Sequence, residues 1–216
     1  MATLRIGTSG FSYTDWVGSF YPASVKPAQW LSYYASKFDT LELNSTYYQL
    51  PALGSVMGML RKVPDDFLFV VKGHRDLTHG RGQAKETLAK FRETLKPFRA
   101  EQKLGGLLLQ FPAAFAWSGE NEDYLRWITE SLTDLTSVVV EFRHERWLNA
   151  GTMDLLRELV AAFCIVDLPQ VRQLPSSRIE ATAPIAYVRF HGRNAEKWAG
   201  PRRATSGTTT TIQRRS

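Results

Sequence analysis

Charged side chains stand at an unusual place in this chain, at the ends of short apolar runs. Glu42 alternates with Leu41 and Leu43 in one such run. Lys72 closes another, over residues 67–71. Burying a carboxylate or an ammonium group costs free energy. A chain that nevertheless places such groups beside apolar strands commonly does so at a functional site. The strand ends are therefore the first candidates for chemistry.

The same arrangement recurs along the chain. Five further apolar runs end in polar residues, and these are Ser9, Gln110, Glu141 with Arg143, Asp167, and Arg189 with His191. The runs alternate with segments of helical periodicity, which favours an α/β fold with a parallel sheet. Polar residues spread over many strand ends are typical of a TIM-like (β/α)8 barrel, whereas a doubly wound sheet gathers them near one switch point.

Apolar residues at helical spacing predict the elements between the strands. The predicted helices cover residues 26–38, 54–62, 83–99, 122–132 and 152–162. Thr152 is the expected N-cap of the last one, because its hydroxyl can accept a bond from a free backbone amide.

Four residues are the catalytic candidates. Glu42 and Glu141 have inward strand parity, and paired carboxylates can divide acid and base roles because each disfavours the charge of the other. The alternative is that structural arginines neutralise both. Lys72 could carry a lowered pKa and form a Schiff base, or bind an anion, or merely extend its stem along the barrel mouth. His191 follows the seventh strand, where many barrels bind phosphate.

Polar residues around these four predict the substrate contacts. The predicted binding set is Ser9, Tyr13, Asn44, Gln110, Arg143, Asp167, Arg189 and Arg193. Arg189, Arg193 and Lys72 would form an anion-binding arc. The expected partner is therefore a small molecule that is anionic or sugar-like, with phosphate as one form of the anion.

Neither a metal nor a particular cofactor is indicated. The four histidines lie on three predicted loops without the close spacing of a zinc site, so no metal ligands are predicted. Cys164 is the sole cysteine and reads as a small buried hydrophobe, which fits a reducing cytoplasm. No apolar run reaches the roughly 20 residues of a membrane span, and no secretory signal is evident.

The net charge of +6 raises nucleic acid as an alternative partner. The last sixteen residues hold four arginines and no acid, which leaves +2 for residues 1–200. The excess charge is thus not a property of the predicted domain, and nucleic acid is the less favoured partner.

Aromatic residues that could stack on a base or a sugar are Phe11, Tyr13, Trp16, Tyr47 and Tyr48. The alternative is that they pack as a lid over the first two strands.

With these residues in view, the chain resembles the YecE-like family, whose biochemical activity is not established. The matching segments are residues 5–13, 16–22, 38–48, 71–75 with 78–79, 110–112, 140–144 and 187–193. The resemblance spans residues 4 to about 198 and implies a TIM-like barrel.

The C-terminus departs from the family pattern after Trp198. Residues 201–216 are basic and threonine-rich where the family continues with an eighth strand and helices. We expect residues 1–200 to form an incomplete barrel of about seven strands, with residues 201–216 as a disordered tail. A frameshift could produce such an ending, and the chain would then be an inactive product. Strands one and seven would be left with unpaired edges, at a large cost in stability.

Overall fold

Strands close into a barrel in the computed structural model, which describes residues 3–168, 178–192 and 210–215. The strands are β1 (Thr3–Ser9), β2 (Thr40–Leu43), β3 (Leu68–Lys72), β4 (Leu104–Gln110), β5 (Val138–Glu141), β6 (Ala162–Asp167), β7 (Ile185–Phe190) and β8 (Thr210–Arg215). The first seven pair in sequence order and in parallel, as the alternation of strands and helices predicted.

The eighth strand departs from the expected seven-strand barrel and disordered tail. β8 pairs antiparallel with both β1 and β7, so neither strand has the unpaired edge that we expected. Its sequence is rich in threonine and includes Ile212, and these β-branched residues favour extended backbone. The prediction for residues 201–209 and 216 lies outside the described residues.

Helices fill the connections and cover the outside of the sheet. They are α1 (Trp30–Ala35), α2 (Leu53–Leu60), α3 (Ala84–Ala100), α4 (Gly119–Thr133) and α5 (Ala150–Glu158). Short 3-10 turns lie at Thr14–Trp16, Pro27–Gln29, Ser45–Tyr47 and Glu145–Trp147, and a π-helical turn lies at Asp76–Gly80.

All five predicted helices are present, with shifted ends. The first predicted helix is divided into the turn Pro27–Gln29 and the six-residue α1. The predicted cap of α5 was wrong: Asn149 is the N-cap, and its Oδ1 accepts from the backbone amide of Thr152 at 2.9 Å. An asparagine side chain is as good a cap as a threonine, and the helix begins two residues before Thr152.

The core consists of two apolar clusters, one on each side of the barrel sheet. The larger lies between the sheet and the helices and includes Phe69, Phe91 and Leu107. The smaller fills the barrel axis with residues of opposite parity, among them Val70 and Leu108. Because side chains alternate along a strand, the polar residues with inner parity project into the barrel above this second cluster.

None of the helices in the described part of the chain is both long enough and apolar enough to cross a membrane.

Candidate functional site

The carboxyl ends of the parallel strands meet at one end of the barrel. Strand register sets Ser9 of β1 beside Glu42 of β2, and Gln110 of β4 beside Glu141 of β5. Arg189 of β7 projects into the same space, with only 4% of its surface exposed. Side chains from distant parts of the sequence therefore meet here, as predicted from the strand ends.

Glu42 is fully enclosed and accepts three donors. Its Oε1 accepts from the Ser9 hydroxyl at 2.6 Å and from Arg189 Nη2 at 2.9 Å. Its Oε2 accepts from the Tyr187 hydroxyl at 2.9 Å. Burial raises the pKa of Glu42, but Arg189 and the Ser9 hydrogen bond more than offset it, so the pKa is lowered and the group is ionised.

Glu141 lies on the other side of the same arginine. Its Oε2 accepts from Arg189 Nη1 at 2.5 Å. Arg143 Nε is 2.5 Å from Oε1, a close ion pair whose angles do not meet hydrogen-bond geometry. Burial raises the pKa of Glu141, yet Arg143 and Arg189 hold it well below its usual value. Arg189 thus bridges two ionised carboxylates, the arrangement that the structural alternative predicted.

Lys72 differs from these paired groups. Its Nζ donates to Gln110 Oε1 at 3.1 Å and lies 4.7 Å from the centre of the Tyr47 ring. Within the described residues no carboxylate oxygen lies within 4.0 Å of Nζ. Burial, and then the charge of Arg189, lower the pKa of Lys72. The glutamates act in the opposite direction, but they do not cancel these effects.

His191 lies beside the ion pair between Arg143 and Glu141. Its Nε2 is 3.2 Å from Arg143 Nη2 and 3.6 Å from Glu141 Oε1. Burial lowers the pKa of His191 despite the nearby carboxylate, so the imidazole is neutral at pH 7.

Three predicted binding residues extend the network from Glu42. Asn44 Nδ2 donates to the Ser9 hydroxyl. The Tyr13 hydroxyl donates to the backbone oxygen of Ser9 at 2.5 Å. The loop after β1 and the end of β2 are therefore tied to the same carboxylate.

Asp167 and Arg193 are the remaining members of the predicted binding set. Asp167 has the strand parity of Ile165, which packs in the outer core, and its backbone oxygen accepts from the His191 amide at 3.0 Å. Parity thus places Asp167 on the side of β6 that faces the outer layer, and its role as a substrate contact stays a prediction. Arg193 lies outside the described residues, and with it one member of the predicted arc.

Sequence reasoning missed two side chains at this end of the barrel, Tyr187 and His79. Tyr187 precedes Arg189 by two positions, so its inward parity was readable from the sequence. His79 lies on the π-helical turn, and its ring centre is 5.2 Å from that of Tyr47. Burial and the charge of Lys72 lower the pKa of His79. No spacing in the sequence links His79 to β3.

No group of three or more histidine, cysteine, aspartate or glutamate side chains in the described ranges is arranged to hold a metal ion. Cys164 is buried beside Glu141, with its Sγ 4.0 Å from Oε2. Burial and this carboxylate raise the pKa of the thiol well above its ordinary value, so it is not a nucleophile.

Seven parallel strands flanked by helices, with ionisable groups at the carboxyl ends of the strands, are consistent with the TIM-barrel-like class of α/β proteins. Within that class the chain belongs to the family described as "Protein of unknown function DUF72", whose model matches residues 5–214.

Two solved structures of the family share this fold, and a third relative matches in sequence. A crystal structure of a DUF72 family protein from Thermotoga maritima superposes with a TM-score of 0.82 at 40% identity, over 91% of this chain and 77% of that one. A DUF72 family protein from Enterococcus faecalis gives a TM-score of 0.72 at 29% identity, over 78% and 71%. The UPF0759 protein YunF of Bacillus subtilis is 28% identical over 210 residues, which are 92% of this chain and 73% of YunF.

Proposed function

We propose that this DUF72 protein, of the YecE-like kind that its motifs resemble, is a cytoplasmic enzyme. It would perform acid–base chemistry on a small anionic or sugar-like substrate at the carboxyl end of the barrel. The observation that carries the proposal is Lys72: a lysine with a lowered pKa that has no carboxylate partner among the described residues, beside two glutamates that do. Structural ion pairing accounts for the glutamates but not for this lysine.

The charges at the barrel end support an anionic substrate. Lys72, Arg143 and Arg189 face Glu42 and Glu141, so three cations oppose two carboxylates. The two pairs leave one positive charge over, and it is carried by a side chain that is partly exposed. A carboxylate or phosphate would complete the balance.

Roles within the proposal follow from how each group is held. Lys72 exchanges the proton with the substrate, because its pKa is lowered towards neutral pH and both the neutral amine and the ammonium form are then easier to reach. Glu42 and Glu141 stay ionised, fix Arg189, and stabilise positive charge that develops on the substrate. His191 is a neutral proton acceptor next to Arg143.

A binding screen tests the proposal. The probes are inorganic phosphate, a panel of sugar phosphates and keto acids, and single-stranded oligonucleotides as the competing ligand class. We expect an anionic metabolite to raise Tm in the wild type and to have no effect in Lys72→Met. Lys85→Met, which changes an exposed lysine, should respond like the wild type. A stabilising oligonucleotide with no metabolite response, or an unchanged response in Lys72→Met, would contradict the proposal.

Turnover gives a second test once a metabolite binds. Glu42→Gln keeps the size of the side chain and removes its charge. We expect it to abolish turnover while circular dichroism shows a folded barrel. Full activity in this variant would remove Glu42 from the mechanism.

The frameshift hypothesis is a separate matter of the gene. DNA that continues past codon 216 with a family-like C-terminus in another frame would support it, and the absence of such a continuation in every frame would exclude it.

A further inference from the structure

Two lysines are enclosed among the described residues, and they are held in different ways. Lys103 is 5% exposed, and its Nζ donates to the backbone oxygens of Leu60 at 3.3 Å and Val63 at 3.1 Å. Those bonds commit its Nζ to a structural contact. Lys72 has a single hydrogen-bond acceptor among the described residues, Gln110 Oε1, and it retains partial access to solvent. Its amine is therefore not committed to a structural contact.

A lysine that only bound an anion would be better placed with its charge favoured. Here Arg143 and Arg189 already supply permanent positive charge, and both disfavour protonation of Lys72. Glu42 and Glu141 favour its protonation, but each is paired with an arginine. The surroundings thus make the neutral amine easier to reach than it is in an exposed lysine, and a neutral amine is a nucleophile.

We propose that Lys72 forms an imine with the carbonyl carbon of a small aldehyde or ketone that carries a carboxylate or phosphate. This deepens the proposed function and rests on it. The Nζ lone pair attacks the carbonyl carbon, and the carbonyl oxygen takes up a proton to give a carbinolamine. That oxygen then leaves as water while the C=N bond forms. The neutral amine, the carbonyl and one proton from solvent become the iminium and water: the first proton on the departing oxygen comes from the attacking nitrogen and the second from solvent, with no change of oxidation state.

The neighbours of Lys72 suit each part of this step. Gln110 Oε1 orients the amine, and the face of Tyr47 stabilises the cationic iminium. His79 contacts the same tyrosine ring and has a lowered pKa, so its neutral imidazole can accept the proton that the attacking amine releases. Arg143 provides charge for the anionic end of the substrate.

Reductive trapping tests the inference. The wild type is incubated separately with dihydroxyacetone phosphate, pyruvate and uncharged glyceraldehyde, reduced with sodium borohydride, and analysed by intact mass and peptide mapping. We expect one adduct, with the mass of the probe less water plus two hydrogens, at Lys72 and with an anionic probe. Lys72→Arg should lose it.

Lys37 is the matched control. It is exposed and lies over another tyrosine ring, with Nζ 5.6 Å from the centre of Tyr33. Lys37→Arg should leave the adduct at Lys72 unchanged. In the wild type, trapping at Lys72 should also reach its half-maximal rate below pH 10.5, the ordinary lysine value. This measurement does not depend on how any variant folds.

The outcomes separate the two proposals. Adducts spread over exposed lysines without enrichment at Lys72, or a pH midpoint for trapping at Lys72 of 10.5 or above, overturn the imine. If an anion still raises Tm through Lys72 while no adduct forms there, acid–base function stands and the imine falls. If neither response appears, both fall.

Discussion

Replacing Arg189 with methionine tests how the barrel interior is held together. Arg189 Nη2 donates to Glu42 at 2.9 Å and Nη1 donates to Glu141 at 2.5 Å. Arg189→Met fills a similar volume but leaves Glu42 without its main counterion. Removing one partner of a buried ion pair costs about 3–5 kcal/mol, because a charge remains buried and unpaired.

Urea denaturation measures this loss. With a urea m value of about 2 kcal/mol per molar, a loss of 3–5 kcal/mol lowers the midpoint by roughly 1.5–2.5 M. Arg126→Met is the control, because Arg126 forms its two hydrogen bonds to Glu158 at the exposed surface. Its midpoint should stay near that of the wild type, since exposed pairs contribute little.

The pH dependence gives a sharper test of the same change. In the wild type the folded pKa of Glu42 is below its ordinary 4.5, so its contribution is complete above that pH and is lost on acidification. Without Arg189, burial dominates and raises this pKa above 4.5. The penalty is then present at neutral pH and is relieved as the pH falls through the raised value.

The difference in stability between the wild type and Arg189→Met should therefore narrow from pH 7 to about pH 4.5, the ordinary carboxyl value. A difference that is constant or widens on acidification would refute the reasoning. So would a midpoint for Arg189→Met that equals that of Arg126→Met.

Three further substitutions or reagents test other contacts. Gly7→Ala should lower the free energy of unfolding in urea by about 3 kcal/mol, because the added Cβ would lie 2.1 Å from a backbone oxygen of β2. Gly54→Ala is the control: nothing lies within 4 Å of its added Cβ, so it should cost nothing. Equal effects of the two substitutions would contradict the clash. Tyr187→Phe removes a donor to buried Glu42 and should cost about 1–3 kcal/mol by thermal unfolding, so an unchanged Tm would show that bond to be unimportant. Cys164 should react with a thiol reagent only in denaturant, and rapid reaction of the native protein would contradict its burial.

The barrel was readable from the sequence because its signal is local. Apolar runs such as residues 67–71, each followed by a polar residue and a helical segment, repeat along the chain, and strand parity identified Glu42 and Glu141 as inward. The eighth strand was not readable. Its antiparallel pairing with β1 and β7 depends on the long-range closure of the barrel rather than on a pattern within residues 210–215.

What the sequence determined by itself is therefore which side chains gather at one end of a barrel. The tertiary structure alone decided how they pair. Arg189 lies between Glu42 and Glu141, so both carboxylates are ionised and engaged, whereas Lys72 meets an amide oxygen and an aromatic ring. Pairing depends on distances between strands that are far apart in sequence, and a pKa depends on burial and on neighbouring charges. For that reason Lys72, rather than Glu42 or Glu141, is the residue on which the proposed chemistry depends.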